Sequence, residues 1–138
     1  MTPTAVEEIV RVASPVTYMR RTATGPATVG GRDFEEGDKL VMLYGAANRD
    51  PRKFDDPEQF DVLRNPNDHV GFGGPGPHFC LGAHLARREI SVVFRQLLTR
   101  LPDIEVTAEP TPLEAMGFPL VGGIKHLPVR FTPTAPLG

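Results

Sequence analysis

Apolar residues keep helical spacing over two long stretches of the chain. In "LGAHLARREISVVFRQLLTRLP", Leu81, Leu85, Ile90, Val93, Phe94, Leu97 and Leu98 recur at i, i+3, i+4 intervals, which predicts an amphipathic helix ended by Pro102. Near the start, Val6, Ile9, Val10 and Ala13 share one face of "AVEEIVRVA", predicting a helix that stops before Pro15. Thr4 and Glu7 stand at capping-box spacing for its first turn.

Between these helices the pattern becomes strand-like. "VTYMRRTA" and "ATVGGRDF" read as strands, with Gly30-Gly31 as a hairpin turn. "GDKLVMLYGAAN" is an apolar run after a glycine turn, readable as a buried strand or a short helix. From Arg49 to Asp68 prolines at 51, 57 and 66 prevent any sustained period. Disorder is one reading of that composition, but the spaced Phe54, Phe60 and Leu63 point to an ordered, irregular segment. The tail alternates short strands and turns, with a hairpin expected around Gly122-Gly123. No internal repeat or long linker divides the 138 residues, so one unit is expected.

Composition narrows the function. A net charge of −2, with scattered lysine and arginine, gives no reason to expect nucleic acid or an anionic membrane as partner. No apolar run approaches the roughly 20 residues of a membrane span. The start "MTPTAVEEIV" lacks a basic region followed by an apolar one, so a cytoplasmic chain is expected. A single cysteine excludes an internal disulfide.

That cysteine lies in "GFGGPGPHFCLGAHLARREI", at the end of a glycine- and proline-rich loop where the long helix begins. A thiol is a good ligand or nucleophile only as thiolate, which a helix N-terminus favours. Gly76 and Gly82 flank Cys80 and would let a flat partner approach the backbone, while Phe72 and Phe79 supply apolar walls and His78 a donor. These features suit a shielded thiolate facing a large planar ligand. Other readings stay open: a small core hydrophobe, a zinc site using His78, Cys80 and His84, or a redox thiol.

"FGGPGPHFCLGA" resembles the haem-ligand loop of cytochromes P450, whose pattern is F-G-x-G-x-[HR]-x-C-x-G. Gly76, His78, Cys80 and Gly82 hold their expected places, and Phe72 lies one residue further out than the pattern prescribes. Glu8-Ile9-Val10-Arg11 has the E-x-x-R spacing of the family's K helix, which puts carboxylate and guanidinium on one helix face. In the family a third polar residue from the "ANRDP..F..PEQFD" segment locks this pair. Gln59 stands where the P-E-R-F form carries arginine, and Arg64 is the nearby alternative. The order of K helix, strands, meander, cysteine loop, L helix and terminal hairpin is similar throughout.

The resemblance implies a fold that is mainly α with small β sheets, residues 1–138 being the C-terminal portion of a single cytochrome P450 domain. The upstream part, including the oxygen-activating helix, is absent from this sequence, so no catalytic residue is assigned within it. Cys80 would be the proximal thiolate of haem b, favouring O–O cleavage, with the amides near Leu81 and Gly82 tuning the sulfur. His78 and Arg21 match positions that pair with haem propionates, with Arg20 adjacent. Val16, Met19, Met116, Phe118 and Leu120 would face an apolar substrate; each is otherwise an ordinary core residue. The implied function is O2-dependent hydroxylation of a lipophilic substrate, such as a methyl-branched lipid or steroid, fed by a ferredoxin-type electron donor. The alternative is a truncated, non-catalytic remnant or interaction module that binds no haem productively.

Overall fold

A computed structural model describes residues 2–113 and 120–134. Helix α1, Pro3–Ala13, begins earlier than the capping box predicts. Thr2 is its N-cap, accepting the Ala5 amide at 3.3 Å, and Pro3 takes a first-turn position where no backbone donor is needed. Thr4 and Glu7 therefore lie inside the helix, which leaves Glu7 available for tertiary contacts. Ser14 ends the helix in the left-handed region, φ 38°, with its amide on the Val10 carbonyl at 3.0 Å.

Strand β1, Tyr18–Thr22, pairs antiparallel with β4, Lys39–Leu43, from Tyr18 opposite Leu43 to Thr22 opposite Lys39. Between them β2, Ala27–Val29, and β3, Arg32–Phe34, form the predicted hairpin. Gly30 at φ 59° and Gly31 at φ 77° make its turn, in a conformation that L side chains resist. The apolar run after Gly37 becomes both of its readings in succession: strand β4, then a single turn of helix, α2, Tyr44–Ala47. The long helix is α3, Ala83–Arg100. It starts two residues after Leu81, which stays in the preceding turn and is fully exposed.

In the tail β5, Glu105–Val106, pairs with β8, Val129–Arg130, and β6, Thr111–Pro112, with β7, Ile124–His126. Gly122-Gly123 does not turn the hairpin, as the sequence suggested, but leads into β7. There the Leu113 amide donates to the Gly123 carbonyl, and the Gly122 amide to that of Pro15. The described residues thus form helices and four small two-stranded antiparallel sheets.

The apolar core is Ala5, Val6 and Val10 of α1 with Phe54 and Ala83. Only Ala83 of α3 is buried; Leu85, Val93 and Leu98 are exposed, and Ile9, Phe60, Leu63, Phe94 and Leu98 line an open groove of about 650 Å³. Of the three spaced anchors in the irregular segment, Phe54 is buried while Phe60 and Leu63 are exposed.

Gly71 carries the cysteine loop hard against α1. A Cβ there would stand 2.6 Å from Val10 Cγ1 and 3.3 Å from the Val10 carbonyl oxygen. Gly71→Ala is expected to destabilise the chain by about 1–3 kcal/mol through overpacking. A denaturation midpoint equal to that of the unaltered chain would contradict the contact.

Candidate functional site

Two layers meet beneath the cysteine loop. In the deeper one, Glu8 and Arg11 lie one turn apart on α1 and are both inaccessible to solvent. Arg11 Nε donates to Glu8 Oε2 and Nη2 to Oε1, each at 2.8 Å. The remaining guanidinium hydrogens reach the carbonyls of Asn48 at 2.8 Å, Pro57 at 2.7 Å and Gln59 at 3.0 Å. Phe54 stacks on the same group, its ring centroid 5.2 Å from Arg11 Cζ. These bonds pin the irregular segment 49–68 at its Pro57 and Gln59 carbonyls, which one buried cation holds.

Glu8 is equally well supplied. It accepts the Asp61 amide at 2.8 Å, Asn67 Nδ2 at 2.9 Å and Arg64 Nε at 3.3 Å. Arg64 thus supplies the second guanidinium, while Gln59 offers only its backbone. Burial alone would raise the Glu8 carboxyl, but the bonds from Arg11 and the Asp61 amide outweigh it and hold the group at about 2, against an ordinary 4.5. A carboxylate lowered in the folded state stabilises the fold fully above its unfolded pKa. Stability is therefore expected to hold above pH 4.5 and to fall progressively toward pH 2. Urea midpoints across that range would check this, and a flat profile would contradict it.

Asn48 joins this layer to the loop above and was not foreseen. It is fully buried, donates Nδ2 to Ser14 Oγ at 2.9 Å and accepts the Val70 amide at Oδ1 at 2.8 Å. Nothing in the local pattern of "ANRDP" marks a buried hub, because its partners lie 34 and 22 residues away.

The upper layer is the loop itself. Cys80 is exposed, its amide donates to the Phe72 carbonyl at 3.0 Å, and its own carbonyl accepts the Ala83 amide at 3.2 Å as α3 begins. Gly73 at φ 85° and Gly76 at φ 128° shape the intervening turn. A Cβ at Gly74 or Gly76 would meet no atom within 4 Å, so the backbone there is bare. A Cβ on Gly82 would stand 4.0 Å from Cys80 Sγ. Leu81 projects wholly into solvent. Arg21, His78 and Gly76 line one cleft of about 250 Å³ with Met42 and Tyr44. Phe72 does not line that cleft; its ring centroid lies 4.5 Å from Arg87 Cζ.

Val16 bridges to Val121, and Thr17 donates its amide to the Leu120 carbonyl at 2.9 Å, so Leu120 lies beside the segment leading to β1. Met19 is in β1 opposite Met42. Met116 and Phe118 lie outside the described residues. Among the described residues no group of three or more His, Cys, Asp or Glu could hold a metal ion, which leaves the zinc reading of His78, Cys80 and His84 without support. Nor is any described helix long and apolar enough to cross a membrane.

The donor set fits an iron porphyrin: one exposed sulfur at a helix start, bare glycine backbone beside it, and two nitrogen donors sharing a cleft.

Comparison with known proteins agrees. The cytochrome P450 family profile matches residues 1–121. A methyl-branched lipid omega-hydroxylase of Mycobacterium bovis is 54% identical over 132 residues, covering 96% of this chain and 30% of that protein. A steroid C26-monooxygenase of Rhodococcus jostii is 46% identical over 128 residues, covering 93% of this chain and 26% of its own. The structure of a Mycobacterium marinum cytochrome P450 in complex with pseudoionone matches with a TM-score of 0.86 at 46% identity, over 93% of this chain and 30% of that one. The chain spans less than a third of the length of these relatives. With the family profile running from α1 through the cysteine loop and α3 to Val121, the chain belongs to the cytochrome P450 family.

Proposed function

We propose that this chain is the C-terminal, haem-thiolate portion of a single P450 domain in a monooxygenase that hydroxylates a lipophilic substrate. One observation carries the reading: the chain's single cysteine is exposed at the start of α3, at the end of a glycine-bared loop whose His78 shares a cleft with Arg21. Cys80 would hold the iron as thiolate, supported by the amide ends of α3 and by the backbone near Leu81 and Gly82. Arg21 and His78 would pair with the carboxylates at the edge of the porphyrin. Gly76 leaves room for the flat face, and Phe72 walls the loop from behind. When bound, haem b supplies the iron chemistry that activates O2 for insertion into a C–H bond.

Val16, Met19 and Leu120, with Met116 and Phe118 beyond the described residues, would contact the substrate through apolar surface. The names of the relatives favour a methyl-branched lipid or a steroid as its class. A ferredoxin-type protein would deliver electrons, in the cytoplasm. Titration of haem into the chain is the test: saturable binding with a sharp Soret band supports the reading. Flat absorbance would favour the alternative, a non-catalytic remnant. The family's oxygen-activating helix has no counterpart in residues 1–138, so no turnover is expected from the haem-loaded chain with a ferredoxin system. Detectable product would contradict that division of labour.

A further inference from the structure

We propose that Arg87 is a positioning residue for Cys80, acting through the ring of Phe72. Glu7 of α1 accepts Arg87 Nε at 2.7 Å and Nη2 at 2.9 Å, a forked pair that joins α1 to the second turn of α3. His69 secures the same carboxylate, its Nε2 lying 2.9 Å from Glu7 Oε2. The Gly71 amide donates to His69 Nδ1 at 3.0 Å, so Nε2 carries the proton and donates to Glu7. Held along its edge, the Arg87 guanidinium lies over Phe72, with Cζ 4.5 Å from the ring centroid, and the His69 ring approaches Phe72 at 5.9 Å.

Phe72 is where this cluster meets the thiol. Its carbonyl accepts the Cys80 amide, closing a loop that contains Gly73, Gly74 and Gly76. Such a loop surrenders much conformational entropy on closure, and one exposed backbone hydrogen bond is a weak restraint. On its far side Cys80 is tied to α3 by the Ala83 amide, and Arg87 stands on that same helix. Arg87 therefore grips both attachments of the cysteine at once: Phe72 before it and α3 after it. The forked pair fixes where the guanidinium lies, and the ring contact converts that fixed position into a fixed carbonyl. The contacts of Arg87 are with Glu7 and Phe72, and through them it sets where the sulfur sits.

The inference deepens the reading of Cys80 as iron ligand and rests on it only for the second of two readouts. The first is residue-resolved amide hydrogen exchange on the 138-residue chain without haem. Arg87→Gln should accelerate exchange at the Cys80 amide roughly tenfold, the scale set by losing a cation–π contact and an ion pair. Arg87→Lys, which keeps charge but not the fork, should fall between, and Arg88→Gln, at an exposed neighbour, should leave the rate unchanged. The Ser14 amide, bonded within α1, should exchange as before. Equal acceleration at Ser14 and Cys80, or none at Cys80, overturns the proposal. Should Arg87→Gln fail to fold, Phe72→Leu decides: it keeps the carbonyl and loses the ring face, so faster Cys80 exchange supports the proposal and an unchanged rate overturns it. The second readout is the reduced, CO-bound spectrum of haem-loaded protein, where Arg87→Gln should shift intensity from the red-shifted Soret band to the unshifted one. Faster Cys80 exchange in a chain that takes up no porphyrin would uphold the positioning role while removing the ligand reading.

Discussion

Cys80→Ser is expected to abolish the red-shifted Soret band of the reduced, CO-bound protein while leaving the unfolding transition of the haem-free chain unchanged. The two halves of that expectation have separate causes. The band reports a thiolate donating electron density to iron, and an alcohol at the same place stays protonated and binds weakly. The fold depends on Cys80 only through its backbone, which donates to Phe72 and accepts from Ala83, and serine retains both bonds. The side chain itself is exposed, so no buried volume changes. Persistence of the shifted band in Cys80→Ser would mean that another atom ligates the iron. Collapse of the fold would mean that the sulfur is a packing element after all.

The second large effect falls on stability. Arg11→Met keeps side-chain length and apolar contact with Phe54 but removes the forked partner of the Glu8 carboxylate and the donor to the Asn48 and Pro57 carbonyls, while Arg64 still reaches Glu8 and the Gln59 carbonyl. Removing one partner of a buried pair costs up to about 3–5 kcal/mol when the other charge stays desolvated. The donors that Glu8 retains place Arg11→Met toward the lower end. Against a domain stability of about 5–15 kcal/mol, that loss is a large fraction of the total. Arg64 compensates only in part: its Nε reaches Glu8 at 3.3 Å, but its terminal nitrogens are already committed to the Asp55, Asp56 and Gln59 carbonyls. Pairing the change with Glu8→Gln should recover part of the loss by removing a buried charge that has lost its forked partner. A urea midpoint lowered by no more than a surface substitution would show that the pair is dispensable.

Legibility in the sequence follows the range of the interaction. Elements fixed by neighbouring residues were readable: the apolar face of α1, the Gly30-Gly31 turn, and the period of α3. The family motifs were readable because loop and helix fix their spacing, and Arg64 could be named as a candidate from its place near Gln59. The first turn of α1 was misplaced because Thr2 and Thr4 are equally good caps locally, and Pro3 makes the earlier start favourable. Periodicity also says which face of α3 is apolar, not what covers it, so exposure of Leu85, Val93 and Leu98 is invisible in the pattern. Glu7 reads locally as a capping-box partner, and its bonds to His69 and Arg87 are invisible for the same reason: they join residues 62 and 80 positions apart. Asn48 is the extreme case, a polar residue in a turn whose burial only the assembled fold reveals.

Iron K-edge X-ray absorption of the haem-loaded protein addresses the ligand directly, without relying on colour or turnover. With Cys80 as the proximal ligand, the first shell should contain one sulfur besides the porphyrin nitrogens, and that sulfur should vanish in Cys80→Ser. A first shell of nitrogen and oxygen alone in the unaltered protein would contradict the account.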